Sequence, residues 1–248
     1  MFLFVVSSYL LWILGLGFHA GAALRLWQTR EYRAYHVFFL YSIFIIIRST
    51  INVSLRFFDQ WEYWFYFYWF TEPVVVALSL WVIYASWLHL FADYEGIRAL
   101  GRRILITSAV ILSVVAIIAA SMQSLGKLPS IYAPLAKMET AVRMIQSGLI
   151  ITLFLLATVL GLPWRRKHFG ILFGFGMYAS LYMLANALIL RFGSAFFLYK
   201  DMFTVFAWVA CQFLWCCYVF QPAEAESFAA LPSSIPLEKW NRALQELL

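Results

Sequence analysis

Within the run Tyr41 to Phe58, otherwise rich in isoleucine, phenylalanine and serine, Arg48, Asn52 and Arg56 recur at every fourth residue. Helical spacing puts all three on one face, as a single stripe of strong hydrogen-bonding groups. The next apolar run supplies Glu72, the natural counter-charge for Arg48, directly before Pro73. Proline removes an amide donor and crowds the carbonyl four residues back, so a bend near Glu72 and a freed carbonyl around Trp69 are expected. Ser79 and Ser86 continue the same polar line at a spacing of seven. Glu139, Arg143 and Gln146 repeat the logic at i, i+4 and i+7, and Asn186 adds an amide in a later run. Charges at bilayer depth are costly, turn inward and find partners. The chemistry such groups could do is binding: a small polar or anionic ligand among Arg48, Asn52, Glu72, Glu139, Arg143, Gln146 and Asn186, or a proton carried on Glu72. The competing reading is a structural network, Arg48 with Glu72 and Glu139 with Arg143, neutral overall, that fixes helix register.

The elements that must position these groups follow from composition. Of 248 residues, 64% are hydrophobic and only 12% charged, with a mean hydropathy of +0.82. Soluble domains carry about a quarter charged residues, so the chain reads as an integral membrane protein. A spanning helix needs about 20 apolar residues. Seven segments qualify, approximately Leu3 to Trp27, Tyr35 to Phe58, Tyr63 to Phe91, Ile104 to Ser124, Ala136 to Leu162, Phe169 to Arg191 and Asp201 to Phe220. The expected fold is therefore all-α, a polytopic seven-transmembrane-helix bundle over residues 1–221. Gly15, Gly17 and Gly21, with Gly170, Gly174 and Gly176, mark the first and sixth helices for close backbone approach.

Orientation comes from the basic residues. Arg25, Arg30 and Arg33, then Arg98, Arg102 and Arg103, then Arg165, Arg166 and Lys167 crowd alternate loops, which places the N-terminus outside and the C-terminus in the cytoplasm. Met1 to Leu24 hold no basic residue, so the start lacks the charged region of a cleaved signal and the first span is expected to remain. With this orientation Arg48 falls near the midplane and Asn52, Glu72, Glu139, Arg143 and Asn186 in the outer half. Residues 222–248 read as a cytoplasmic tether followed by an amphipathic helix, with Leu237, Trp240, Leu244, Leu247 and Leu248 on one face, suited to the headgroup layer or a partner.

The formal charge of +6 does not signal nucleic acid, because its basic residues sit in loops between apolar spans. Cys211, Cys216 and Cys217 share the last span without zinc spacing and read as packing residues. His19, His36, His89 and His168 fall on the cytoplasmic side, and His36 with His89 stand at similar depth. Two facing histidines could hold a haem or metal, but no His-x-x-His or Glu-x-x-His spacing supports it, so no cofactor is assigned. A retinal Schiff base needs a lysine deep in the last helix, and Lys200 lies at its edge. No hydrolase, zinc-protease or phosphate-loop motif is present, which points away from an enzyme.

Tyr68-Trp69-Phe70-Thr71-Glu72, Val82-Ile83-Tyr84 and Tyr94-Glu95-Gly96-Ile97-Arg98-Ala99-Leu100-Gly101-Arg102 give the chain a resemblance to a group of bacterial seven-helix membrane proteins with no assigned activity. The resemblance implies a multi-pass protein of the bacterial inner membrane. Composition, stripe and topology together lead to sensing or transport of a small ligand from an outward-facing pocket. Such a protein would act alone or as a homo-oligomer, and two other classes compete: an accessory subunit of a larger membrane complex, meeting partners through the aromatic run Trp61 to Phe70 and the C-terminal helix; and a haem- or metal-binding redox protein.

Overall fold

Uninterrupted apolar sequence must pair every backbone donor and acceptor internally, and the α-helix does this within one segment. The computed structural model describes residues 2–91, 95–122, 132–160, 166–192 and 194–222. Its helices are α1 (Phe2–Gln28), α2 (His36–Phe57), α3 (Trp61–Leu90), α4 (Glu95–Met122), α5 (Tyr132–Val159), α6 (Arg166–Phe192) and α7 (Ser194–Phe220), with a single 3-10 turn at Glu31–Arg33. All seven are long and apolar enough to cross a membrane. The chain is thus an all-helical protein of the multi-pass membrane type.

Several helices outrun the apolar segments that announce them. α4 begins at Glu95 rather than Ile104, and α7 at Ser194 rather than Asp201. An apolar run marks the part of a helix that suits lipid, whereas the hydrogen-bond ladder continues through Arg98, Arg102 and Arg103 at no cost in water. The tether and amphipathic helix expected after Pro222 lie outside the described residues.

The helices group into two units. The first comprises α1, α2, residues 61–82 of α3, residues 177–192 of α6, and α7. Here α1 packs along α7 and, less extensively, along α2. Gly15 is what permits the first contact: a Cβ there would stand 2.1 Å from the Trp208 ring, which itself lies 5.6 Å from the Trp12 ring. Gly17 meets nothing within 4 Å and Gly21 only Cys216 Sγ at 4.0 Å, so of the three expected packing glycines one is required. The second unit holds residues 83–90 of α3, α4, α5 and residues 166–176 of α6, with α4 packed along α5. Gly148 on α5 accepts Leu112 of α4 where a Cβ would approach its Cδ2 to 2.5 Å.

A tight hairpin joins α2 to α3. Gln60 N donates to Leu55 O at 2.8 Å and Asp59 N to Arg56 O at 3.2 Å, while Asp59 takes a left-handed φ of 57°. This closes the end of α2 as a Schellman cap with aspartate where glycine is usual. The Asp59 carboxylate also accepts from Trp61 Nε1, tying the turn to the first residue of α3. So short a connection makes α2 and α3 antiparallel neighbours, and that brings the arginine stripe against α3.

Many hydroxyls in these helices bond to their own backbone. Ser42 donates to Phe38 O, Thr50 to Ile46 O and Thr152 to Gly148 O, each at 2.8 Å, which lets small polar residues sit in apolar surroundings without an interhelical partner. Ser79 does the same with Val76 O.

Candidate functional site

The stripe on α2 is held by α3 in three layers. At the lowest, Arg48 Nη2 donates to Glu72 Oε2 at 2.7 Å and to Tyr68 O at 3.3 Å, and Nε donates to Thr71 Oγ1 at 2.8 Å. The guanidinium also lies over the Tyr68 ring, 4.6 Å from its centroid. The ion pair is nearly sequestered, with side chains 11% and 3% exposed. In such surroundings a charge-assisted bond is strong, and either partner left alone would be a heavy penalty. Thr71 serves as relay, since its hydroxyl accepts from Arg48 and donates to Phe67 O at 2.7 Å.

α3 runs as unbroken helix through Pro73. The carbonyls that receive side-chain donors are those of Phe67, from Thr71 Oγ1, and of Tyr68, from Arg48 and from Thr71 Oγ1 at 3.1 Å, two residues and one residue before the position expected from the proline. Arg48 is long enough to reach around the turn, so it addresses the carbonyl that faces α2.

At the layer nearest the α2–α3 turn Arg56 lies in a cage of indoles, 4.1 Å from the Trp64 ring centroid, 5.5 Å from Trp61 and 5.9 Å from Trp12. Cation–π attraction to tryptophan is strongest where water is excluded. Between these layers sits Asn52, 2% exposed, whose Oδ1 is buried without a hydrogen-bond partner among the described residues. Buried amides are ordinarily satisfied, so an exception calls for a cause.

Glu139, Arg143 and Gln146 belong to the second unit. Arg143 Nη1 donates to Gln146 Oε1 at 2.9 Å, and its Nη2 stands 3.9 Å from Glu139 Oε1. All three are buried on one face of α5, as the spacing implies. Asn186 lies half-buried on α6 in the first unit, with no hydrogen bond to Arg48 or Asn52.

Sequence reasoning missed Thr71, Tyr68 and Trp64 as partners of the stripe. Their signal was available: Trp64, Tyr68 and Thr71 share one face of α3 with Glu72. It also missed His19 as an interior group. His19 is 1% exposed within the span Tyr9–Gln28, bonded through Nδ1 to Gln212 Oε1 of α7 and ringed edge-on by Trp215 and Tyr41. No local signal joins residues 193 positions apart. His89, expected at a depth similar to that of His36, stacks face to face on His168, centroids 4.1 Å apart and planes within 4°. Parallel rings set side by side do not converge their nitrogens on a common centre. Among the described residues no three His, Cys, Asp or Glu side chains gather as a metal cluster.

No protein family matches this chain, and no curated protein or solved structure is similar to it.

Proposed function

We propose that this is a non-enzymatic protein of the bacterial inner membrane, N-terminus outside, that binds a small polar ligand at the α2–α3 stripe for sensing or transport. The observation that carries the reading is Asn52: a buried amide oxygen without a hydrogen-bond partner among the described residues, one turn from a sequestered Arg48–Glu72 pair. A network built only to fix register would close on itself, because an unsatisfied amide destabilises the fold it belongs to. Arg48, Asn52 and Glu72 form the binding set, and Thr71 and Tyr68 hold the guanidinium in place.

Ligand-induced thermal stabilisation of the purified protein tests this. Screening small polar compounds should find one that raises Tm saturably. Replacing both charges together, Arg48→Leu with Glu72→Leu, leaves no lone charge behind and should abolish that rise while the protein still inserts. An unchanged rise in the double variant would exclude the stripe as the site. The competing accessory-subunit reading draws on the exposed aromatic rim, with Phe57, Phe58, Tyr63 and Tyr66 mostly uncovered. Rings of this kind suit the headgroup layer equally well. Purification in mild detergent with a stoichiometric second chain would favour the subunit.

A further inference from the structure

We infer that the ligand of the α2–α3 stripe is an uncharged, hydroxyl-bearing molecule, whose hydroxyl donates to Asn52 and accepts from the indole N–H of Trp64. This rests on the binding function proposed above and narrows its chemistry.

The level of the site follows from its neighbours. Arg48 lies over Tyr68 and Arg56 over Trp64, eight residues apart on α2 or about 12 Å along the helix. Asn52 is halfway between them. The Trp64 and Tyr68 rings, with centroids 5.6 Å apart, therefore bracket the level of Asn52, one from each side. Trp64 repeats the anomaly of Asn52: its Nε1 is buried and has no hydrogen-bond partner among the described residues. One helix thus presents an unsatisfied acceptor and the other an unsatisfied donor about one helical turn apart along the stripe, a gap that one bridging oxygen would close. Indole can only donate, and the amide oxygen can only accept.

A group that answers both must accept and donate at once. An ammonium fails, because it has nothing to offer the indole. A carboxylate could accept from Trp64 and from a rotated Asn52 amide, but charge opposes it. Arg48 is already neutralised by Glu72 at 2.7 Å, so an anion would add an uncompensated charge to a desolvated, balanced pair. A hydroxyl adds none, and its single oxygen does both tasks. Arg48 Nη1, which makes no hydrogen bond among the described residues, remains to donate to a second oxygen of the same molecule. Free polyols and hydroxylated lipid headgroups share this chemistry.

The test uses the full chain in lipid-free detergent and in nanodiscs. Glycerol and myo-inositol serve as polyol probes, acetate and lactate as carboxylates, and propane-1,3-diamine as the cation. A saturable rise in Tm with a polyol in detergent supports a free ligand. A rise only in discs containing phosphatidylglycerol or phosphatidylinositol, and not phosphatidylethanolamine, supports the headgroup. In either case Trp64→Phe, which keeps the ring and removes the N–H, should weaken binding roughly tenfold, as loss of one buried hydrogen bond implies. Asn52→Leu should do likewise. Three results would overturn the inference: stabilisation by carboxylates or diamine alone, polyol or lipid binding indifferent to both substitutions, or a high-resolution map with an ordered water only between Asn52 and Trp64. If carboxylates bind and the Arg48→Leu, Glu72→Leu variant loses them, the site stands and the hydroxyl is wrong. If no probe of any class raises Tm, the binding function falls too.

Discussion

Arg48 and Glu72 illustrate how a charge pair in an apolar setting can be indispensable yet contribute little net stability. Removing both is tolerated where removing one is not, because the cost lies in the uncompensated charge. Arg48→Leu alone should therefore lower stability by about 3–5 kcal/mol, and adding Glu72→Leu should restore most of it; thermal unfolding in detergent reads both. If the double variant is as unstable as the single, the pair is a net stabiliser. Asn52 should behave in the opposite sense. Leucine of similar size removes an unsatisfied amide, so Asn52→Leu should stabilise the ligand-free protein by about 1–3 kcal/mol. A fall in Tm would mean that the amide has a structural partner. At this scale much was legible in the sequence. The spacing of Arg48, Asn52 and Arg56, with Glu72 as the carboxylate inside the next apolar run, gave the pair, and Glu139, Arg143 and Gln146 lie on one face as their periodicity requires. Trp64 and Thr71 share the face of Glu72, but their roles did not stand out, because a dense aromatic run at a membrane rim has an adequate explanation in lipid alone.

Helix pairing depends on features that composition does not display. Seven apolar runs announce seven helices, but α1 packs along α7, the far end of the chain, and no periodicity in either says so. Only small residues hint at close approach, and three glycines in α1 look equivalent until the neighbours are known. Gly15→Ala should push the Trp208 ring from its seat and cost about 1–3 kcal/mol, whereas Gly17→Ala should leave Tm unchanged or slightly raised. Equal effects would show that α1 and α7 do not meet at Trp208. The hairpin at Asp59 is likewise a local device with a distant consequence. By capping α2 and tethering Trp61, it sets the register in which Arg48 meets Tyr68, Thr71 and Glu72.

For the whole molecule, the alternation of basic loops is the only guide to direction across the membrane. From it we propose that the α2–α3 turn lies outside and the α1–α2 turn in the cytoplasm. In a background with Cys211, Cys216 and Cys217 replaced by alanine, Gln60→Cys should react with an impermeant maleimide in spheroplasts. Ala34→Cys should react only after permeabilisation, and the reverse pattern would turn the site to the cytoplasm. The division of the helices into two units was not legible, since α3 and α6 each pass from one to the other without a break in their apolar sequence. The stripe on which the proposed binding function rests lies wholly within the first unit, with Arg48, Asn52 and Glu72 on α2 and α3 and Trp12 of α1 completing the cage around Arg56. A high-resolution density map of the native protein, purified without added ligand exchange, tests that function most directly. Non-protein density in contact with Asn52 and within hydrogen-bond distance of Arg48 or Trp64 is the expected result. A map in which the Asn52 amide is bonded to protein atoms alone, with the stripe closed around it, would contradict the account.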